Sequence, residues 1–193
     1  MKKIFLLLFI ISTFSCKNSS ENSSQIEIEK EYLGIEDISN SETKYETIVT
    51  ENATDNFKLL NILKSKLKKA NFNFTEQKEI RKMSYNNCEE NIIININGNG
   101  IRQYFIRSKK PEKPTKDTYA DFLIWVYEFS TPKIAQENYD ILEKALNSKG
   151  RFCNGKAPEK LVLNGNEVFH LATRAEMFRT YTERYGEIIK NYR

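Results

Sequence analysis

Histidine is almost absent from this sequence: His170 is the only one among 193 residues, and there are three cysteines. One histidine and distant cysteines lack the closely spaced ligands that a zinc site requires. No Gly-x-Ser-x-Gly motif occurs, so the sequence does not place a serine nucleophile in a known activating turn. The run Asn97–Gly100 is followed by neither Lys-Ser/Thr nor a helix, which excludes a phosphate-binding loop. We therefore predict that the protein binds no metal and no cofactor.

The sequence also has little excess charge and no long apolar run. The formal net charge is +4, and it falls to +2 if Lys2 and Lys3 are removed. This near-neutral balance gives no global signal for nucleic acid. Lysines are nevertheless concentrated in one predicted helix and one loop. We interpret them as solvated faces, with attraction to anionic lipid or cell-wall polymers as the alternative; they are Lys58, Lys64, Lys66, Lys68 and Lys69, then Lys109, Lys110, Lys113 and Lys116.

The N-terminus has the pattern of a secretory signal peptide. Two lysines precede an eight-residue apolar run, Ile4–Ile11, and small Ser15 directly precedes Cys16. A bilayer-spanning helix needs about 20 apolar residues, so this run is too short to remain as one. The polar tract KNSSENSSQ follows at once. The sequence therefore predicts export, with cleavage before Cys16.

A cysteine directly after the cleavage point makes this segment resemble the signal of a bacterial lipoprotein. The resemblance covers about twenty residues and implies acylation of Cys16 and attachment to the membrane. Thr13 and Phe14 depart from the usual Leu and small residue of that motif, so ordinary secretory cleavage after Ser15 stays the alternative. Lys17, which stands where a retention Asp would stand, implies the outer membrane.

The rest of the chain divides by composition. We predict a signal peptide over residues 1–15, a lipidated cysteine and flexible tether over 16–43, and one folded domain over 44–193. The fragment IEIEKEYLGI within the tether could instead add an edge strand. With Cys16 assigned to lipid, Cys88 and Cys153 remain as a pair in a compartment where disulfides persist, so we predict a disulfide between them. Two free thiols are the alternative.

Periodicity predicts an α+β domain of antiparallel sheet with about three helices. Three apolar patterns have helical spacing, and the run Tyr119–Phe129 is typical of a central strand covered on both faces. Thr131-Pro132 begins one helix, and Thr173–Glu176 reads as a capping box that begins another. The predicted helices and strands are Tyr45–Thr50 (strand), Asp55–Ala70 (helix), an ambiguous Phe74–Tyr85, Tyr119–Phe129 (strand), a helix from Pro132 to Gly150, and a last helix after Glu176.

Two Asn-Gly turns predict hairpins, one at Asn97–Gly100 and one at Asn164-Gly165. Each follows a strand, a helix and a cysteine, in that order. The order suggests that the domain consists of two β-α-β-β units, although residue identity between the halves is negligible. A chance recurrence of a common order is the alternative.

The sequence gives no residue a clear catalytic role. We predict His170 to be structural, and we assign no role to Asp121, Glu128 and Glu167, whose carboxylates would need to meet in space to form a hydrolase. Phe178, Tyr181, Tyr185 and Tyr192 form a C-terminal aromatic stripe that is typical of a core face. If its hydroxyls reach a groove, the stripe would serve a partner surface. The residues predicted for that surface are Arg174, Arg179, Tyr181 and Tyr185.

These observations predict a lipid-anchored, non-catalytic module of the bacterial cell envelope rather than an enzyme. We expect a monomer attached to the membrane through Cys16, with an envelope or toxin protein as partner, in the manner of an inhibitor or immunity protein, and with no nucleic acid. The alternative is an envelope hydrolase with a carboxylate site.

Overall fold

The structure is a computed structural model that describes residues 43–53, 57–80, 83–113, 116–149, 153 and 157–192. The predicted signal peptide, Cys16 and nearly all of the predicted tether lie outside these residues, as do the predicted caps Thr54 and Asp55 and the predicted helix end Gly150. In the described part no helix is long and apolar enough to cross a membrane.

The described residues contain eight strands, three α-helices and one short 3-10 turn. In chain order they are β1 (Lys44–Thr50), α1 (Phe57–Lys69), β2 (Phe72–Glu76), β3 (Ser84–Asn87), β4 (Ile92–Gly98), β5 (Ile101–Ser108), β6 (Asp121–Glu128), α2 (Pro132–Leu146), β7 (Glu159–Asn164), β8 (Glu167–Ala172), the 3-10 turn Glu176–Phe178 and α3 (Arg179–Lys190).

The strands form two sheets, and the predicted α+β class is confirmed. The large sheet has the order β2-β5-β6-β8-β7, and all of its pairings are antiparallel. The small sheet has the order β1-β4-β3, with β1 parallel and β3 antiparallel to β4. The ambiguous segment before Tyr85 thus supplies two strands, one to each sheet.

The predicted hairpin at Asn97–Gly100 is wrong, because β4 and β5 belong to different sheets. The glycines serve a close crossing instead. A Cβ on Gly98, which has a φ of +118°, would lie 2.1 Å from the carbonyl oxygen of Thr50. A Cβ on Gly100 would lie 2.6 Å from the carbonyl oxygen of Glu51. Glycine permits both left-handed backbone and close backbone approach, and here the crossing between sheets uses both.

The two predicted β-α-β-β units are therefore not alike. The second is present as β6-α2-β7-β8, and β7 and β8 form the predicted hairpin, with Gly165 at a φ of +62°. The first fails because its opening strand pairs in parallel with β4 in the small sheet. A repeated order of local signals does not specify which strands pair, since pairing depends on distant contacts.

The helix ends were predicted with mixed success. Thr131 caps α2 as predicted, because its Oγ1 accepts the N–H of Ile134 at 3.2 Å, and Pro132 occupies the first turn. The predicted capping box is wrong: the Thr173 hydroxyl donates to the carbonyl oxygen of Asp121 at 2.6 Å, and no side chain caps the 3-10 turn that precedes α3. The tertiary contact takes the hydroxyl that the local motif would have used.

The large sheet is covered on both faces. Helices α1 and α3 pack on one face, where Leu63, Phe122 and Tyr185 belong to one apolar cluster. The small sheet and α2 pack on the other, where Ile94, Trp125 and Leu142 belong to a second cluster. Strand β6 contributes to both clusters, so the predicted central strand is confirmed, and its position between two layers explains its nearly continuous apolar sequence.

Candidate functional site

An open cleft of about 470 Å³ lies on the large sheet at the end where β6 begins and β8 ends. Its floor is a row of three neighbours in register across three strands, Phe105, Leu123 and Ala172. All three are half-buried. They lie on the face of the sheet that carries Trp125, one row outside the cover of the small sheet. The cleft therefore has an apolar floor that remains in contact with solvent.

Polar side chains surround this floor. Arg174 stands at the mouth with 76% of its side chain exposed, and its Nη2 donates to Asp121 Oδ2 at 2.7 Å. Gln77 and the buried Gln103 line the wall on the β2–β5 side, joined by the Gln77 N–H donating to the Gln103 carbonyl at 2.8 Å. The guanidinium and amide groups can donate and accept hydrogen bonds above an apolar surface, which suits a ligand with both characters.

The position of Arg174 follows from the end of β8. The backbone N–H of Thr173 donates to the Pro158 carbonyl at 3.1 Å, and its hydroxyl donates to the Asp121 carbonyl. These bonds anchor the chain directly before Arg174. Among the described residues the side chain pairs with Asp121, and the guanidinium has further N–H donors beside the cleft that it lines.

His170 is buried in the adjoining row of the same sheet face. Its Nδ1 lies 2.7 Å from the Tyr85 hydroxyl, its Nε2 lies 3.2 Å from Glu159 Oε2, and its ring stacks on Trp125 at 5.2 Å. The Tyr85 hydroxyl in turn lies 3.1 Å from the Tyr127 hydroxyl. The histidine side chain is 0% exposed. The network connects β3 of the small sheet to β6 and β8 of the large one.

The order carboxylate, imidazole, hydroxyl has the connectivity of a catalytic triad, but its environment opposes nucleophilic chemistry. Burial, followed by the neighbouring Tyr127, raises the pKa of Tyr85 well above its ordinary value. Burial likewise raises the pKa of Tyr127. A nucleophile is activated by an adjacent base or by a lowered pKa, and in either case it must reach the substrate. Tyr85 lies beside His170 but is 2% exposed and its pKa is raised, and the network joins the two sheets.

Two of the three carboxylates considered from sequence do meet. Glu128 and Glu167 are paired across β6 and β8, and both form ion pairs with Arg102, at 3.5 Å for Glu128. Their side chains are 1% and 0% exposed. Asp121 lies at the other end of β6, roughly 24 Å away at 3.4 Å per residue. The pair thus shares one cation, Arg102, and is closed to solvent, and Asp121 is too distant to join it.

The four residues predicted for a partner surface lie in different surroundings. Tyr181 and Tyr185 pack against Phe122 and belong to the α1–α3 cluster. Burial and a hydrogen bond to Glu112 raise the pKa of Tyr181 to about 12. Arg179 is exposed and forms an ion pair with Glu176. Only Arg174 lines the cleft. Most of the aromatic stripe is core, as its helical spacing indicated.

Cys88 and Cys153 lie within disulfide distance, with Cα atoms 5.8 Å apart and the sulfur atoms bonded. The bridge joins the turn after β3 to the segment between α2 and β7. Ser148 contributes to this junction: its hydroxyl lies 3.1 Å from the Cys153 sulfur and donates to the Asn86 carbonyl. The junction fastens the small sheet to the end of α2.

Sequence reasoning missed the wall and floor of the cleft. Gln103 and Phe105 come from β5, Leu123 comes from β6, and Gln77 directly follows β2. Alternation alone assigns the three strand residues to a half-buried sheet face. Nothing local marks their convergence. Within the described residues no group of three or more His, Cys, Asp or Glu side chains is placed to hold a metal ion.

Comparisons with known proteins add no relative. No protein-family model matches the chain, and no curated protein or solved structure matches it either.

Proposed function

We propose that the folded domain is a non-catalytic binding module held at the bacterial cell envelope by a lipid on Cys16. The observation that carries the binding role is the cleft, because it is the place where a solvated apolar floor and unsaturated hydrogen-bond donors occur together. His170, Glu128 and Glu167, which could perform acid–base chemistry, lie in contrast in buried networks.

The anchor is supported by the order of residues at the N-terminus. A basic start, the apolar run Ile4–Ile11, Ser15 and Cys16 resemble the signal of a bacterial lipoprotein. The pairing of Cys88 with Cys153 is consistent with an oxidising compartment, since structural disulfides persist there and are rare in the cytosol. With those two cysteines joined, Cys16 is the one left for acylation.

A protein segment is the partner that fits the cleft best. The floor formed by Phe105, Leu123 and Ala172 offers an apolar strip about three strands wide, roughly 10 Å across two strand spacings. An exposed arginine at the edge of such a strip is typical of protein–protein contacts. An envelope or toxin protein with an apolar residue beside a carboxylate would satisfy both the strip and Arg174.

The alternative function, an envelope hydrolase, draws less support. Glycoside hydrolysis by a carboxylate pair requires both groups to reach the substrate. Glu128 and Glu167 are buried and paired with Arg102, while Asp121 is paired with Arg174. No observation among the described residues favours catalysis at either place.

A site-specific cross-link tests the binding role. A photoreactive residue at position 77, inside the cleft, should capture a defined envelope protein in intact cells, and the same residue at Lys133 on α2 should not. Arg174→Ala should reduce the yield about tenfold, as expected for an interface arginine. Lys133→Ala is the matched control, because that side chain is 86% exposed and distant from the cleft. Equal products at both positions, or a yield unaffected by Arg174→Ala, would refute the proposal.

A second experiment tests the anchor separately. Cys16→Ala should abolish labelling by a clickable palmitate analogue and transfer the protein from the membrane pellet to the soluble fraction. Ser15 and the apolar run are retained in this variant, so export itself is not removed. Labelling that persists in Cys16→Ala would exclude the lipid anchor and leave plain secretion.

A further inference from the structure

Helix α1 presents lysines in every outward direction. Its sequence, FKLLNILKSKLKK, contains five lysines and no acidic residue. Leu59, Leu63 and Leu67 are 0% exposed and orient the helix on the large sheet. This orientation leaves all five lysines exposed. Lysines in the last turn interact favourably with the C-terminal end of the helix dipole, but that effect is confined to the last turn and does not account for the lysines before it.

The lysines on the two flanks of α1 meet cations from neighbouring elements. On one flank Lys64 and Lys68 border a groove of about 250 Å³ with Lys109, which follows β5. On the other flank Lys66 and Lys69 border a groove of about 310 Å³ with Arg184 of α3. Each groove is therefore bounded by three positive charges, and the two lie on either side of one helix. We call these six residues the α1 face.

The positive charge of the α1 face is not compensated within the described part of the chain. None of its six residues forms an ion pair there, whereas Lys144, Lys160 and Arg179 on other surfaces each pair with a glutamate. Six like charges so arranged attract an anionic surface. Residues 44–193 carry 26 Lys and Arg against 19 Asp and Glu, a formal net charge of +7, and the six cations of the α1 face supply much of this excess.

We propose that the α1 face binds the anionic lipid headgroups of the membrane that carries the anchor, an inference that rests on the proposed lipidation of Cys16. Charge complementarity identifies the occupant. A flexible chain as long as the segment between Cys16 and β1 would reach roughly 25–30 Å, so a lipid on Cys16 would keep the domain close enough to the bilayer for the face to contact it. Each cation near an anionic leaflet raises the partition onto it about fivefold.

This contact would orient the binding module. Helix α1 and the cleft lie on opposite faces of the large sheet, because Leu63 belongs to the cluster with Phe122 whereas Leu123 packs against the cluster of Trp125. With the α1 face on the membrane, the cleft opens away from it. The anchor and the cations together would present Arg174 to partners beyond the lipid surface.

Lysine labelling on vesicles tests the contact. The full chain is reconstituted in neutral phosphatidylcholine vesicles or in vesicles with about one quarter phosphatidylglycerol, acetylated briefly, and analysed by mass spectrometry. On the anionic vesicles alone, labelling of Lys64, Lys66, Lys68, Lys69 and Lys109 should fall at least about fivefold. Lys133 and Lys149, which are exposed on or after α2, should be labelled equally on both. About 0.5 M NaCl, with a Debye length of about 4 Å, should restore labelling.

Variants and a competitor make the outcome decisive. Lys64→Gln/Lys68→Gln should restore labelling of Lys66 and Lys69 on anionic vesicles, and Lys133→Gln/Lys149→Gln, with the same loss of charge, should not. Protection on neutral vesicles, protection of Lys133, or no protection at all would overturn the proposal. Protection by soluble polyphosphate without protection by vesicles would also overturn it.

The anchor is assayed independently in the same samples. Intact mass reports whether Cys16 carries lipid. The Cys16→Ala chain, incubated with added anionic vesicles, reports whether the α1 face binds without an anchor. If Cys16 carries no lipid but the lysines are still protected, the anchor is refuted and binding by the α1 face stands. If Cys16 carries lipid but the lysines are not protected, the anchor stands and binding by the α1 face is refuted.

Discussion

We expect the loss of Arg102 to lower the stability of the fold strongly, although its side chain is partly exposed. Its guanidinium, 17% exposed, forms ion pairs with Glu128 and Glu167, whose side chains are 1% and 0% exposed. The two glutamates are directly opposite each other on β6 and β8. Arg102→Met retains most of the apolar stem of the side chain and removes the positive charge. Two adjacent carboxylates then remain buried beside each other without that cation.

The magnitude follows from the cost of removing the cationic partner from a buried ion pair. Removal of one partner from a buried ion pair costs about 3–5 kcal/mol, and two like charges at adjacent positions place Arg102→Met at the upper end of that range. Replacing all three groups, as Arg102→Met/Glu128→Gln/Glu167→Gln, removes the charges together. We expect the triple variant to recover at least half of the loss, because a buried ion cluster contributes little net stability relative to a neutral replacement.

Urea unfolding at pH 7, followed by fluorescence, provides the assay. Trp125 is the only tryptophan and is 5% exposed, so its emission reports unfolding of the large sheet directly. Arg174→Met is the matched control, because the Arg174 side chain, which pairs with Asp121, is 76% exposed. Such exposed pairs contribute less than about 1 kcal/mol to stability. A decrease in the free energy of unfolding below about 1 kcal/mol for Arg102→Met, or no recovery of stability in the triple variant, would refute the role given to the buried charges.

Two further predictions concern stability. Replacing Cys88 or Cys153 with Ser should lower the free energy of unfolding by up to about 4 kcal/mol, from loop closure over a separation of 65 residues, and the double replacement should cost about the same as one. Non-reducing digestion should yield one linked peptide pair; two free thiols would exclude the bridge. Stability should also fall as the pH rises from 10 towards 12, because burial raises the pKa of Tyr104 and of Tyr181 to about 12, so the unfolded chain loses these protons first. Tyr181→Phe should make this decline shallower in urea titrations at several pH values, and the exposed Tyr45→Phe should leave it unchanged.

Signals that act within one turn or one strand were sufficient for much of the fold. The Thr131-Pro132 cap, the turn at Gly165 and the leucine spacing of α1 each predicted an element that the structure contains, because the contacts that favour them lie within a few residues of one another. The phase of His170 with Val168 likewise placed the histidine on the face opposite Phe169.

Local patterns that are compatible with two different structures led to wrong predictions. Gly98 and Gly100 fit a hairpin turn as well as a close backbone crossing, and only the positions of Thr50 and Glu51 decide between them. Thr173 fits a cap as well as a contact with Asp121. In each case the competing partner lies far away in the sequence, so no local pattern could rank the two uses.

The sequence by itself predicted the α+β class and most element positions, since each depends on composition or on short-range periodicity, and it alone carries the N-terminal pattern whose signal function stays a prediction. Tertiary structure alone decided which strands pair, that Arg102 meets Glu128 and Glu167, and that Phe105, Leu123 and Arg174 share one cleft. The physical reason is that sheet pairing joins residues tens of positions apart through backbone hydrogen bonds that are alike for every strand. The choice among partners then depends on how whole faces pack, which no single segment of the chain contains.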